Sequence, residues 1–361
     1  MSSVAIRNYI LLFALILTIL LCSVYLVVSQ KPTATFSGSN ELILDVLYAT
    51  NRKATGSGCS FGGERASSNK LSYGLCNVSI PPDHRIGEIE SPFFSWLPLD
   101  PAKHVVLRGG TGMPKSVFDG YLSESLKQSG SSLVFVHGYN VAFEDAAKRT
   151  AQMTYDLKFK GAPIFFSWPS AGAPEKYPAD EATIEWSYPA MHAFLLDHLE
   201  RVDVKNVYLI AHSMGNRALT HAVTKIYTDR PDLAAKVKEI VLTAPDIDAG
   251  TFMDVIVPEM IKGDAPITLY VSSRDKALIL SKGFHSYPRA GDFPNPVRTV
   301  PGLELIDATT VETDFLAHSY YGDNSSVISD LYSIIKGDRP SERFHLQAKG
   351  TGEGLYWEFR K

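Results

Sequence analysis

From Leu133 onward the chain alternates two textures. Leu133–Val136, Ile164–Phe166, Val207–Ala211, Ile240–Leu242, Ile267–Val271 and Leu303–Ile306 are short, continuous apolar runs. Their length and β-branched content predict strands buried on both faces. Between them lie stretches in which apolar residues recur every three or four positions. Ala142–Lys158 carries Phe143, Ala147, Thr150, Met153 and Leu157 on one face. Tyr188–Val202 carries Met191, Phe194, Leu195 and Leu199, and Arg217–Tyr227 follows the same period. These predict helices. Strands and helices alternating at such lengths predict an α/β fold, with a mostly parallel central sheet and helices on both faces.

Upstream the texture differs. Residues 41–130 hold strand-like pieces (LILDVLYAT, LSYGLCNVSI, HVVLRG) between Gly, Ser and Pro clusters. They predict a β-rich N-terminal extension flanking the main sheet. Residues 31–40 read as a linker, 131–340 as the catalytic domain and 341–361 as a C-terminal tail. Pro169–Asp180 reads as a flexible rim, and Asp248–Asp264 as a small lid.

Tyr9–Val28 is almost wholly apolar and is preceded by the single charge of Arg7. About twenty apolar residues suffice to span a bilayer as a helix. Residues 1–30 are expected to be a signal anchor or a cleaved signal peptide. Either would place the rest of the chain outside the cytoplasm, membrane-anchored in the first case and secreted in the second. Cys59 and Cys76 are then free to form a disulfide.

The 361 residues are 45% hydrophobic and carry a net charge of −4, enough for a large core and without the basic footprint of a nucleic-acid binder. No metal-ligand spacing is present, and neither cofactor nor metal is expected. The remaining partner is a small-molecule acyl ester.

That expectation comes from Val207–Asn216, where an apolar strand stops at Ser213, between His212 and Met214, and a helix begins. A serine hydroxyl is a weak nucleophile. A sharp strand-to-helix turn exposes it beside a base and aims backbone N–H groups at the developing oxyanion. Ala211 and Gly215 are small enough for neighbouring backbone to approach. In a parallel sheet the reacting groups lie at the carboxyl ends of strands. One such end is His137-Gly138-Tyr139-Asn140, so the N–H of Tyr139 (or Asn140) and that of Met214 are the candidate oxyanion hole. The strand at 267–271 leads to Asp275, the candidate acid, with Asp246 and Asp248 after the preceding strand as rivals. His318, beyond the last strand, is the candidate base. Trp168, Trp186, Tyr188, Tyr320 and Tyr321 are candidate pocket walls.

VFVHGYN, FFSWPS, LIAHSMGNRAL and the late Asp and His resemble the α/β-hydrolase superfamily. More narrowly, with VLYATNR and LSYGLCNVSIPPDHRIGEIE, the chain is similar to a bacterial, often exported branch of esterase/lipase-like hydrolases of unknown function. The resemblance spans roughly 42–331. It implies the α/β-hydrolase fold and a Ser213–Asp275–His318 triad, with Ala211 standing where glycine is commonest. Carboxylic ester hydrolysis through an acyl-enzyme is the expected reaction. Peptide, thioester or lactone cleavage by the same triad, and a non-catalytic, membrane-tethered binding protein on a hydrolase scaffold, are the alternatives.

Overall fold

The computed structural model describes residues 42–94, 96–293, 298–311, 325–350 and 354–360. The first part of the chain gives β1 (Leu42–Thr50), β2 (Arg52–Ala54), β3 (Phe61–Arg65), β4 (Ser72–Ile80), β5 (Val106–Met113) and helix α1 (Lys115–Leu126). Then come β6 (Ser131–Val136), α2 (Phe143–Asp156), β7 (Ala162–Ser167), α3 (Tyr177–Trp186), α4 (Tyr188–Glu200), β8 (Asn206–His212), α5 (Gly215–Asp229) and β9 (Val237–Thr243). The last part holds β10 (Ile267–Val271), α6 (Lys276–His285), β11 (Leu303–Asp307), α7 (Ser325–Lys336), β12 (Leu346–Lys349) and β13 (Tyr356–Phe359).

Eleven strands form one sheet in the order β12-β13-β11-β10-β9-β8-β6-β7-β1-β4-β5. The run from β13 to β1 is parallel throughout. Antiparallel strands close both ends, β12 on β13 and β4–β5 on β1. Successive side chains of a strand point to opposite faces. Val134 and Val136 of β6 therefore join one core with α1, α4 and α5, while Leu133 and Phe135 join the other with α2 and α7. Apolar residues on both faces explain why these strands read as unbroken apolar runs.

Four stretches differ from their expected roles. The extension over 41–130 does not flank the sheet: β1 lies inside it, parallel to β7, and β4 and β5 continue it. The stretch 341–361, expected as a tail, supplies β12 and β13, with Leu346 and Phe359 buried. Within 169–180, expected as a flexible rim, Asp180 in the first turn of α3 accepts from Ser170 Oγ at 2.6 Å and Ala171 N at 2.9 Å, which fixes the rim. Within Asp248–Asp264, the expected lid, a series of short helical turns over Ala249–Gly263 buries Phe252, Val257 and Met260 in the core.

Cys59 and Cys76 are joined in a disulfide that ties the β2–β3 hairpin to β4. Phe61 of that hairpin packs on Phe143, the first residue of α2, with ring centroids 4.6 Å apart. Among the described residues no helix is long and apolar enough to cross a membrane. The apolar segment Tyr9–Val28 lies outside them.

Candidate active site

The parallel strands bring their carboxyl ends to one edge of the sheet, and Ser213 stands in the middle of it, between the end of β8 and the start of α5. Its φ is +50°. A side chain in the left-handed region costs about 1–2 kcal/mol, so the neighbours must hold it there. Ser213 N–H donates to Thr243 O at 2.9 Å. Ser213 O accepts from Asn216 N at 3.1 Å, Asn216 Nδ2 at 2.9 Å and Asp246 N at 3.3 Å. The turn is pressed against β6. A β-carbon on Gly215 would lie 2.3 Å from His137 O, and one on Gly138 would lie 2.9 Å from Ser213 Cβ. Glycine is required at both positions for this approach.

The segment 137–141 is fixed by a buried arginine that sequence reasoning did not assign. Arg52, just past β1, donates through Nε to Ser167 Oγ at 2.8 Å and through Nη1 to Ser170 O at 2.9 Å. Its Nη2 donates to Val141 O at 2.7 Å and lies 3.2 Å from His137 Nε2. Burial lowers the Arg52 pKa to about 9, against the pull of Asp180 and Asp145, so it stays charged at neutral pH. A guanidinium only donates. His137 Nε2 must therefore be the bare, accepting nitrogen, and Nδ1 carries the proton toward Gly138 O, 2.8 Å away. Burial, then the Arg52 charge, holds the His137 pKa well below its ordinary value and keeps the ring neutral. Trp168 stacks on this ring and donates its Nε1–H to His137 O at 2.8 Å. Trp168 is thus a support for the turn rather than an open pocket wall. In a trans peptide the C=O and the following N–H point in opposite directions. With Gly138 O turned onto its own neighbour's imidazole, the N–H of Tyr139 is turned the other way. Asn140 N faces Asp180 Oδ2 at 3.5 Å, and Val141 N donates to Ser170 Oγ at 3.2 Å.

The two candidate acids have different surroundings. Asp246 is clamped: Oδ1 accepts from Arg289 Nε at 2.8 Å and Ser281 Oγ at 2.7 Å, and Oδ2 from Tyr177 Oη at 2.5 Å and Arg217 Nη2 at 3.3 Å. Burial would raise its pKa, but Arg217 and Arg289 outweigh this and leave it lowered. Arg217 also pairs with Glu181 at 2.9 Å, and Glu181 with His285 Nε2 at 2.8 Å. The neighbouring acid, Asp248, caps the turn that follows it through Thr251 N. Asp275, four residues past the end of β10, is fully buried. It caps α6, its Oδ1 accepting from Ala277 N and Leu278 N, both at 3.0 Å. That cap fixes the orientation of the carboxyl group. His318, Tyr320 and Tyr321 lie outside the described residues. Met214 begins the turn into α5, fully buried. Tyr188 stacks on His221 at 4.5 Å and lines a cleft of about 580 Å³ with Arg217, Ile247 and Arg289. Trp186 packs under Arg65.

Arg52, Arg217, Arg289 and Asp180 carry no local signal. Their partners lie tens of residues away, and VLYATNR stood out only through the family resemblance.

A parallel sheet with a serine in a strained strand-to-helix turn, backed by a glycine turn on the adjacent strand, defines the class of α/β hydrolases. The chain belongs to the family described as alpha/beta hydrolase of unknown function (DUF900), whose model matches residues 116–339. Among curated proteins none matches it. Among solved structures it is similar to a predicted CIB-like hydrolase from Thermoplasma acidophilum, at 13% identity over 83% of this chain and 100% of that one, with a TM-score of 0.37. It is also similar to a lipase-esterase related protein from Clostridium acetobutylicum, at 14% identity over 58% and 95% of the two chains and a TM-score of 0.31. For esterase B from Lactobacillus rhamnosis the identity is 12% over 57% and 74%, with a TM-score of 0.32.

Proposed function

We propose that the protein is a serine hydrolase that cleaves a carboxylic ester through an acyl-enzyme. The reading rests above all on Ser213, held at φ +50° between Thr243 and Gly138 at the carboxyl edge of the sheet. Ser213 Oγ attacks the acyl carbonyl while His318 takes its proton. The oxyanion forms between the N–H groups of Tyr139 and Met214, at the positive end of α5. The C–O bond then breaks, and the alkoxide leaves as the alcohol with the proton from His318. Water, deprotonated by His318, attacks the acyl-enzyme and releases the acid. Asp275 orients the imidazole. It is preferred to Asp246, whose two oxygens are already occupied by two arginines, a tyrosine and a serine.

The test is covalent labelling with a fluorophosphonate, together with hydrolysis of short-chain p-nitrophenyl esters. Ser213→Ala is expected to abolish labelling and to lower turnover on the order of 10⁴-fold or more, with thermal unfolding unchanged. Asp275→Asn and His318→Ala are expected to follow. Equal labelling of Ser213→Ala and the parent would sink the assignment.

A further inference from the structure

The opposite, N-terminal edge of the sheet carries two features that the hydrolase reading leaves unused. The first is an aromatic loop. Phe93 is 90% exposed, Phe94 49% and Trp96 55%, and the three rings pack on one another, Phe94 on Trp96 at 5.3 Å. Exposed Phe and Trp side by side have no reason to face bulk water, and aromatic rings of this kind favour the lipid–water boundary. The second is a cleft of about 380 Å³ lined by Lys158, Lys160, Lys336, Ser129, Tyr208 and Tyr332 and by no carboxylate. Lys205 borders it, packed beside Gly130. All four lysines are exposed, and none has a carboxylate partner among the described residues. They stand out on a chain whose net charge is −4.

The two features share one corner. His84 Nε2 bonds Asp156 Oδ1 at 3.0 Å, and Gly87 N donates to Asp156 Oδ2 at 2.8 Å. These contacts tie the start of the aromatic loop to the end of α2, two residues before Lys158. The chain also enters the domain here. Leu42 pairs with Ile80, the residue before the loop begins. Only the 13 residues from Ser29 to Glu41 separate Leu42 from the apolar segment ending at Val28. Even fully extended they reach no more than about 45 Å.

We propose that this edge rests on an anionic lipid bilayer, with Phe93, Phe94 and Trp96 at the acyl boundary and Lys158, Lys160, Lys205 and Lys336 over the headgroup phosphates. It rests on the reading of Tyr9–Val28 as an anchor. Because the parallel strands point their carboxyl ends the other way, Ser213 faces away from the lipid. If the hydrolase reading holds, the substrate reaches it from the aqueous side.

The full chain in nanodiscs of phosphatidylcholine, with or without phosphatidylglycerol, tests this. No tryptophan lies before Trp96 in the chain, and Trp168 is buried. The difference between the parent and Trp96→Phe therefore isolates Trp96. Its emission is expected to be quenched by lipids brominated on the acyl chain and shielded from aqueous acrylamide. Each of Lys158→Gln, Lys160→Gln and Lys336→Gln is expected to reduce that quenching equilibrium about fivefold in anionic discs. Phe93→Ser/Phe94→Ser is expected to reduce it in both lipids, with an unchanged circular dichroism spectrum. Trp96 as open to acrylamide in discs as Trp96 in the free chain overturns the proposal, whether the patch then faces water or a protein. So does failure of the chain to enter discs. None of these readouts involves turnover, so they fail independently of the Ser213 assignment.

Discussion

At the scale of single residues, the position of one peptide bond depends on a charge several ångströms behind it. Arg52 fixes the tautomer of His137, His137 fixes Gly138 O, and Gly138 O fixes the direction of Tyr139 N–H. Lysine keeps the charge of Arg52 but cannot reach Ser167, Ser170, Val141 and His137 at once. Arg52→Lys is expected to lower kcat on the order of 10²-fold through a misaimed oxyanion donor, with KM nearly unchanged. A purely structural role would lower only the amount of folded enzyme and leave kcat per labelled serine intact. Steady-state kinetics normalised to fluorophosphonate-reactive sites separates the two. Gly138→Ala acts on the same contact from the other side. A methyl group 2.8 Å from His212 Nδ1 and 2.9 Å from Ser213 Cβ must push the turn off β8. The expected cost is about 1–3 kcal/mol in urea unfolding, accompanied by loss of labelling.

At the scale of elements, β9, β10 and β11 are laced together near their amino ends by charges. Glu239 of β9 accepts from Thr268 Oγ1 of β10 at 3.0 Å and pairs with Arg339 at 3.2 Å. Arg339 and Arg343 both hold Glu304 of β11, at 3.0 and 2.7 Å. Burial, then the nearby Glu304, raises the Glu239 pKa from 4.5 to about 7 despite the two arginines. A carboxyl group whose folded pKa is raised contributes its stability fully below the unfolded value and loses it as pH rises through the folded one. The parent is therefore expected to lose stability relative to Glu239→Gln between about pH 4.5 and 7, by no more than about 3 kcal/mol, and to change little above that. Urea unfolding of both proteins at pH 5 and pH 8 measures it; a pH-independent difference would show that Glu239 ionises as an ordinary carboxylate. None of this lacing could be read beforehand, because Glu239 and Arg339 look like surface charges in isolation. What could be read was whatever repeats locally. The runs at 133–136, 207–211 and 267–271 announce buried strands because both faces are apolar. β12 and β13 announce nothing: LQAK and YWEF are four residues each at a sheet edge and bury little beyond Leu346 and Phe359. Pro174 and Pro178 disguised α3, although proline is harmless in a first helical turn. At the site, the Ser213 turn and the strand-end position of Asp275 were legible for the same local reason. The arginine clamp on Asp246 was not, since Arg289 arrives from 43 residues away.

At the scale of the whole molecule, antiparallel strands close both sides of the sheet, β4–β5 on one and β12–β13 on the other. The second closure has a consequence that the expected tail would not. Arg343 is buried and pairs with Glu304 at 2.7 Å and Asp330 at 3.5 Å. Ending the chain at Pro340 removes that cation and leaves Glu304 and the buried Asp330 without it. It also strips the partner from β11, whose Ile306 pairs with Trp357, and opens Tyr270, which packs on Phe359. Removing one partner of a buried ion pair costs about 3–5 kcal/mol on its own, against a typical total stability of about 5–15 kcal/mol. The truncated chain is expected to be recovered mainly as aggregate, with its soluble fraction melting well below the parent. Arg343→Met in the full chain isolates the charge and is expected to produce part of the loss while keeping the edge covered. A truncated protein that stays soluble and melts within about 2 °C of the parent would make 341–361 a dispensable tail after all. The intermediate result, in which Arg343→Met melts as low as the truncation, would assign the whole effect to the ion network and none to the two strands.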